Sequence, residues 1–196
     1  RAVKLVASTV DGDFSATATT EGITQTGALA ITGTTTLLTS ADGADIDLST
    51  TTNAFTGALT ITTNDNTDYG AHATIDGGTT ALIIAASTID GDLTLTSGAA
   101  AGITDSGTVT LGGNLSATTD ANNGTITLNQ LAVTGAIDLA TNDDANNNTG
   151  HSTVVNATAV KLAASSVDGN LSATAATGNI LQTGALTVTG TSTLVT

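Results

Sequence analysis

The segment AVKLVASTVDGDFSATA at residues 2–18 returns as AVKLAASSVDGNLSATA at residues 159–175, and the two copies are identical at 13 of 17 positions. The similarity runs on without a gap to the end of the chain, so that residues 2–39 and 159–196 agree at 26 of 38 positions. A weaker copy, AASTIDGDLTLTS, occupies residues 85–97. Self-similarity at a constant spacing is typical of repeat architectures. It indicates a unit of 157 residues that consists of two half-units of 78–79 residues.

Within each half-unit, aliphatic residues alternate with small or polar ones, as in GALAIT, GDLTLT and GTITLN. Alternation places the aliphatic side chains on one face of a β-strand, and Thr, Val and Ile favour strands. Gly, Asn and Asp separate the strands and supply turns. We therefore predict an all-β parallel β-solenoid of about 20 residues per coil. Four coils per half-unit would make eight coils, or about 40 Å, per long unit.

The repeat also predicts the organisation of the chain. Residues 1–158 form one long solenoid repeat, with half-units at about 2–80 and 81–158, and residues 159–196 start the next repeat in the same solenoid. Both termini lie in strand-like sequence, which indicates uncapped ends, and the chain begins with Arg1 instead of Met. We interpret the chain as one stretch of a longer fibre.

Composition excludes several classes of protein. The formal net charge is −14 with only three basic residues, which argues against nucleic-acid binding. The sequence contains no Cys, so disulfides and thiolate metal sites are absent. It contains no run of about 20 apolar residues, so no membrane span is expected.

The phrases TGALTVTGTSTLVT and VDGNLSATA, together with their repetition along the chain, carry a resemblance to a known group of proteins. They resemble the repeat regions of filamentous-haemagglutinin-like bacterial exoproteins and related giant β-strand-repeat adhesins. The resemblance implies a right-handed parallel β-helix, export through the outer membrane, and a role in adhesion or matrix building. It therefore implies an extracellular or cell-surface location.

Two loops, NDNTDYGAH at 64–72 and NDDANNNTGH at 142–151, lie at equivalent points of the half-units. Oxygen-rich side chains at alternate positions suit calcium, which takes six to eight oxygen ligands. The candidate calcium ligands are Asn64, Asn66, Asp68, Asp143 and Asp144. The alternative is that these loops are only turns, with His72 and His151 as surface residues. Calcium is the one cofactor that the sequence suggests.

Three Asp-Gly pairs recur at the same place in their units. We interpret them as structural turns, because Asp-Gly supports a tight corner between strands. The residues are Asp11, Gly12, Asp90, Gly91, Asp168 and Gly169.

Catalysis has little support, since the chain has one Glu and no set of acidic and basic residues that would act together. We predict a protein that is not an enzyme: an extracellular fibre or adhesin stalk whose partner is itself, through covalent continuation or end-to-end stacking. The alternative is a calcium- or glycan-binding module acting through the two loops, with a glycan or cell-surface receptor as partner. An ice-binding Thr face or a polysaccharide-cleaving β-helix is less favoured.

Overall fold

The computed structural model describes residues 1–66, 70–144 and 148–196. In this part of the chain no helix is present, and therefore none of the length and apolarity needed to cross a bilayer. In chain order the strands are β1 (Val3–Leu5), β2 (Ser8–Val10), β3 (Phe14–Ala18), β4 (Ile23–Gln25), β5 (Leu29–Ile31), β6 (Thr35–Thr39), β7 (Ile46–Leu48), β8 (Ala54–Phe55), β9 (Leu59–Thr62), β10 (Ala73–Asp76), β11 (Leu82–Ile84), β12 (Ser87–Ile89), β13 (Leu93–Ser97), β14 (Ile103–Asp105), β15 (Val109–Leu111), β16 (Leu115–Asn122), β17 (Ile126–Val133), β18 (Ile137–Asn142), β19 (Ser152–Asn156), β20 (Val160–Leu162), β21 (Ser165–Val167), β22 (Leu171–Ala175), β23 (Ile180–Gln182), β24 (Leu186–Val188) and β25 (Ser192–Val195).

The strands form two long sheets and one short one. The first sheet runs β1-β4-β7-β10-β13-β16-β18-β20-β23, with β21 and β24 beside this path. The second sheet contains β3, β6, β9, β11, β12, β14, β15, β17, β19, β22 and β25, and the third contains β2, β5 and β8.

The pairing register gives the length of one turn. Leu93 pairs with Leu115, and Leu115 pairs with Ile137, so that consecutive rungs lie 22 residues apart. The nine strands on the main path of the first sheet give eight steps, and therefore about eight turns. The prediction of an all-β parallel β-solenoid is confirmed, with a turn slightly longer than the expected 20 residues.

A half-unit of the sequence repeat does not contain a whole number of structural turns. From β1 to its repeat counterpart β20 the chain makes seven steps in the first sheet, not the eight expected from four coils per half-unit. A half-unit therefore spans three and a half turns. As a consequence β3 lies in the second sheet, its counterpart β13 in the first, and the next counterpart β22 in the second again. The long unit advances the solenoid by about 34 Å, since paired strands lie about 4.8 Å apart.

The core consists of aliphatic side chains stacked in columns between the sheets. Leu93, Leu115 and Ile137 form one such column, and each is at most 1% exposed. The large aromatic side chain of Phe55 is also buried. Full burial of one Leu or Ile stabilises the fold by about 1.5–3 kcal/mol, so each turn adds a similar increment when it covers the last.

Two buried asparagines connect turns through the core. The Asn53 Oδ1 atom accepts a hydrogen bond from the Leu29 amide (2.9 Å), and its Nδ2 donates to the carbonyl oxygens of Leu48 (3.1 Å) and Asp76 (3.0 Å). Asn156 bonds in the same manner to both backbone groups of Val133. Buried amides are tolerated when their polar atoms are paired, and here the pairing joins consecutive turns.

Candidate functional site

The two Asn/Asp loops lie where the chain passes between the long sheets. The loop of the first half-unit follows β9 in the second sheet and precedes β10 in the first. The loop of the second half-unit follows β18 in the first sheet and precedes β19 in the second. Because a half-unit spans three and a half turns, equivalent loops occupy the two different crossings of the solenoid.

The first loop is bonded to the next turn through a threonine and an aspartate. The Thr63 hydroxyl donates to the Ala71 carbonyl (2.7 Å) and accepts from the Asp90 amide (3.1 Å). The Asp65 amide donates to Oδ2 of Asp90 (2.9 Å). Thr63 is 3% exposed, and its buried hydroxyl connects the end of the loop to the backbone of the next turn.

A histidine and a serine complete this set of contacts. The Nδ1 atom of His72 accepts from the Asp92 amide (2.9 Å), and the Ser87 hydroxyl oxygen accepts from the Ile61 amide (3.0 Å). A Cβ atom at Gly91 would lie 2.8 Å from Nδ1 of His72, so only glycine lets the imidazole approach. We call this set, Thr63, Asp65 and His72 on one turn with Ser87, Asp90 and Asp92 on the next, the first clasp.

The second loop makes the same contacts. The Thr141 hydroxyl donates to the Gly150 carbonyl (2.7 Å) and accepts from the Asp168 amide (2.9 Å). The Asp143 amide donates to Oδ2 of Asp168 (3.3 Å). A carboxylate that accepts from the backbone of a neighbouring turn holds the two turns in register.

The histidine and serine of the second loop also repeat. His151 Nδ1 accepts from the Asn170 amide (2.9 Å), and the Ser165 hydroxyl oxygen accepts from the Leu139 amide (3.1 Å). A Cβ atom at Gly169 would lie 2.6 Å from the ring nitrogen of His151. Thr141, Asp143 and His151, with Ser165, Asp168 and Asn170, are the second clasp.

The candidate calcium ligands are placed in these loops, except Asp68, which lies outside the described residues. Asn64 accepts an amide through its carbonyl, and the amides of Asn66 and Asp144 donate to side chains of a neighbouring turn. Oδ2 of Asp143 accepts an amide within its own loop. The described part of the chain brings together no group of three or more His, Cys, Asp or Glu side chains that could hold a metal ion. A calcium site stays a prediction.

The Asp-Gly pairs each lie between two strands, and their side chains also make contacts between turns. The carboxylates of Asp90 and Asp168 bond to loops of the preceding turn. The Asp11 carboxylate instead accepts from the Thr32 hydroxyl of the following turn (3.1 Å). The pairs are Asp11–Gly12, Asp90–Gly91 and Asp168–Gly169.

Reasoning from the sequence missed the clasps, because it treated each loop and each Asp-Gly pair alone. The signal was present in the spacing: Thr63, His72, Ser87 and Asp90 each have an identical residue 78 or 79 positions later. Four matched polar residues on two adjacent turns indicate one conserved set of contacts within the chain. The buried Asn53 was also missed, since nothing in its local sequence marks it as inward-facing.

A groove of about 330 Å³ lies on the first sheet near the first clasp. Along it, Oδ1 of Asp92 accepts from the Asn114 amide (2.6 Å), and Oδ1 of Asn114 accepts from the Ala136 amide (2.8 Å). Asp138 also lines the groove, and its burial there raises the pKa of its carboxyl. The polar side chains of the groove thus form a ladder that joins three turns.

In the first half-unit, Asp13 makes the contact equivalent to that of Asp92. Its Oδ1 atom accepts from the amide (2.7 Å) and the hydroxyl (2.8 Å) of Thr34. These two hydrogen bonds, the amide first, hold the pKa of Asp13 below its usual value, since they favour the charged carboxylate. The same side-chain contact between turns therefore recurs at both halves of the repeat.

The clasps and the ladder of the groove bond side chains to the backbone of a neighbouring turn, and these hydrogen bonds hold the turns in register.

No curated protein and no solved structure matches the chain. Residues 1–62 and 149–196, together more than half of the chain, match the family described as repeats of unknown function (DUF5649). The chain belongs to this family of repeats.

Proposed function

We propose that this chain is a non-catalytic structural segment of an extracellular fibre or adhesin stalk, which grows by stacking one repeat unit on another. The observation that carries the proposal is the pair of clasps. The recurring polar clusters of the two half-units bond one turn to the next, through Thr63 and His72 and through Thr141 and His151. Polar residues that recur with the repeat and serve its stacking support a role in extension.

The composition supports the same role. A net charge of −14 keeps neighbouring rods apart, because like charges repel and favour solubility. A solenoid whose repeats each contact only their neighbours gains length without any change in cross-section. The resemblance to filamentous-haemagglutinin-like exoproteins supports the extracellular location and the adhesive or matrix-building role.

Particle length tests the structural part of the proposal. One further seven-turn unit, residues 2–158, is inserted in phase after residue 158, and both proteins are measured by small-angle scattering and electron microscopy. We expect the longer protein to gain about 34 Å in length at constant width, since seven rungs of about 4.8 Å are added. A particle that becomes wider, or that folds back into two rods, would contradict the proposal.

Location is tested separately on cells that make the protein. Antibodies against the chain are applied to intact cells and to permeabilised cells. We expect intact cells to be labelled along surface filaments. Labelling that requires permeabilisation would rule out the extracellular fibre while leaving the solenoid itself unaffected.

A further inference from the structure

The first turn carries the residues that belong to the second of the two turns in a complete clasp. Ser8, Asp11 and Asp13 occupy the positions that Ser87, Asp90 and Asp92 hold in the first clasp and that Ser165, Asp168 and Asn170 hold in the second. At each complete clasp, the preceding turn supplies three groups: a backbone amide to the serine hydroxyl, a threonine hydroxyl to the first amide, and a histidine Nδ1 to the second amide.

In the first turn, none of these three hydrogen bonds is made among the residues that the structure describes. The Ser8 hydroxyl keeps the local bond that its counterparts make, by donating to the Val6 carbonyl (2.9 Å), but it accepts from no amide. The amides of Asp11 and Asp13 have no acceptor in the described chain. Ser8, Asp11 and Asp13 are exposed, so these groups are accessible to a partner turn.

The corner beside these groups differs from the corners of the complete clasps. The Gly12 amide donates to the Thr32 hydroxyl of the following turn (3.0 Å), whereas the Gly91 amide donates to the Ala71 carbonyl of the preceding turn (3.1 Å). Gly12 has φ of +139°, and neither Gly91 nor Gly169 has positive φ. The glycine amide of this corner therefore donates to the following turn, whereas that of Gly91 donates to the preceding turn.

The apolar side chains around the open half-clasp are also partly uncovered. Val10 and Phe14 are half-buried, while their counterparts in the complete clasps, Ile89, Leu93 and Val167, are at most 1% exposed. Val6 is 62% exposed. A partner that supplied the three polar groups would at the same time cover this apolar surface.

We propose that the first turn is a docking surface for one specific turn of a second repeat unit, the turn that corresponds to residues 137–158. This inference rests on the proposed function and names the interface through which the units join. Residue 158 holds the position of Arg1 in the repeat, so a turn of this kind brings a Thr141 hydroxyl, a His151 ring and a Leu139 amide onto Asp11, Asp13 and Ser8. A third clasp is thereby closed.

Closing the clasp restricts which turn of a second unit can stack on the first turn. The last turn of the chain, β23 to β25, is the counterpart of β4 to β6, and that segment contains no histidine. Direct stacking of this last turn on the first turn of another copy would leave the amides of Asp11 and Asp13 without acceptors. Only a unit that presents the Asn/Asp loop closes the clasp.

The test adds one turn to the complete chain. In the in-phase protein, residues 137–157 are placed before Arg1, which then stands at the position of Thr158. The first control carries the same extension with T141V and H151A substitutions in the added copy. The second control carries residues 115–135, a turn of equal length without the loop. Amide hydrogen exchange of Asp11 and Asp13 is followed by NMR.

We expect the in-phase extension to slow exchange of both amides at least tenfold relative to both controls, because only it supplies the two acceptors. Equal exchange in the three proteins would overturn the inference, and so would an in-phase turn whose own amides remain unprotected. The particle length of the protein with one inserted unit tests the proposed fibre separately from the clasp. If the protein with the inserted unit lengthens by about 34 Å while the in-phase extension leaves Asp11 and Asp13 unprotected, the fibre stands and the clasp is overturned.

Discussion

Strand β6 carries two buried threonines whose hydroxyl groups have different surroundings. Thr35 and Thr39 are both 0% exposed and both face the core. The Thr39 hydroxyl donates to the Ala44 carbonyl (3.0 Å). The Thr35 hydroxyl has no hydrogen-bond partner in the described chain. An unpaired buried hydroxyl costs about 1–3 kcal/mol, so the same residue type is favourable at one position and costly at the other.

Replacing Thr35 with valine should therefore stabilise the protein. We expect Thr35→Val to raise the free energy of unfolding by about 1 kcal/mol, because it removes an unpaired hydroxyl at nearly constant shape. Thr39→Val is the matched control, and it should lower the free energy of unfolding by about 1–2 kcal/mol, since it leaves the Ala44 carbonyl unpaired. Urea denaturation measures both, and changes of the same sign would contradict the assignment.

The raised pKa of the partly buried Asp138 carboxyl makes the stability of the protein depend on pH. Burial raises the pKa of its carboxyl, and the Leu139 amide offsets part of this effect. Because the folded state then holds the proton more tightly than the unfolded state, stability decreases as pH rises from the unfolded pKa through the raised pKa. The destabilisation is complete above the raised pKa and absent below both pKa values.

Asp138→Asn should accordingly raise the urea midpoint at pH 7 and change it little at pH 3. Asp47→Asn removes the same charge from an exposed position on the outward face of the first sheet, so it controls for the general effect of net charge. A gain at pH 7 that is no larger than that of Asp47→Asn would show that burial of Asp138 is not the cause.

At the scale of strands and loops, the alternation of aliphatic and polar residues predicted most of the structure. GDLTLT, for example, contains the start of β13, in which Leu93 and Leu95 are buried and Thr94 and Thr96 face outward. LIIAAS at residues 82–87 has no strict alternation, yet it contains β11 and the first residue of β12. The pattern succeeded because a strand buries one face wherever it lies in the stack.

The number of turns per repeat could not be predicted in this way. Paired rungs lie 20 residues apart between Ala73 and Leu93 but 27 apart between Ile46 and Ala73. Loop insertions of this kind change the turn length without changing the alternation. Both long sheets offer the same buried environment, so nothing local indicates that β3 and β13 belong to different sheets. The clasps depend on that placement and were missed with it.

The second clasp provides a prediction about how the loops are held. Thr141→Val removes the acceptor of the Asp168 amide and the donor to the Gly150 carbonyl, both at a position only 6% exposed. We expect a loss of about 2–4 kcal/mol in the free energy of unfolding, since two backbone groups are left unpaired. Thr153→Val, at an outward position without a side-chain hydrogen bond in the described chain, should change it by less than about 0.5 kcal/mol.

The first clasp supplies a further control for this experiment. Thr63→Val removes the equivalent bonds three and a half turns away, about 17 Å along the axis. Sites so far apart are expected to contribute additively. A double variant that loses much more or much less than the two single variants combined would mean that the clasps do not act locally.

At the scale of the whole molecule, each turn is stabilised only by the turns on either side. Among the described residues, the large apolar side chains that remain well exposed lie in the first turn or in the last strands of the chain: Val6, Leu181, Leu194 and Val195. In the middle, Leu95 and Ala117 of adjacent turns are at most 1% exposed. Stability in such a stack is close to a sum of turn and interface contributions, so a turn with one neighbour has about half the interface of a central turn.

This arrangement predicts a gradient of local unfolding along the axis. Amide hydrogen exchange of the whole chain should be fastest in β2 and β25 and slowest in β13 and β16, because opening a terminal turn breaks one interface and opening a central turn breaks two. Mass spectrometry of exchanged peptides measures the gradient. Destabilising the centre by Leu95→Ala, which removes a buried side chain, should raise exchange on both sides of β13 but leave β25 nearly unchanged. Exchange that is uniform from end to end would instead mean that the solenoid unfolds as one unit, and that each turn is coupled to more than its immediate neighbours.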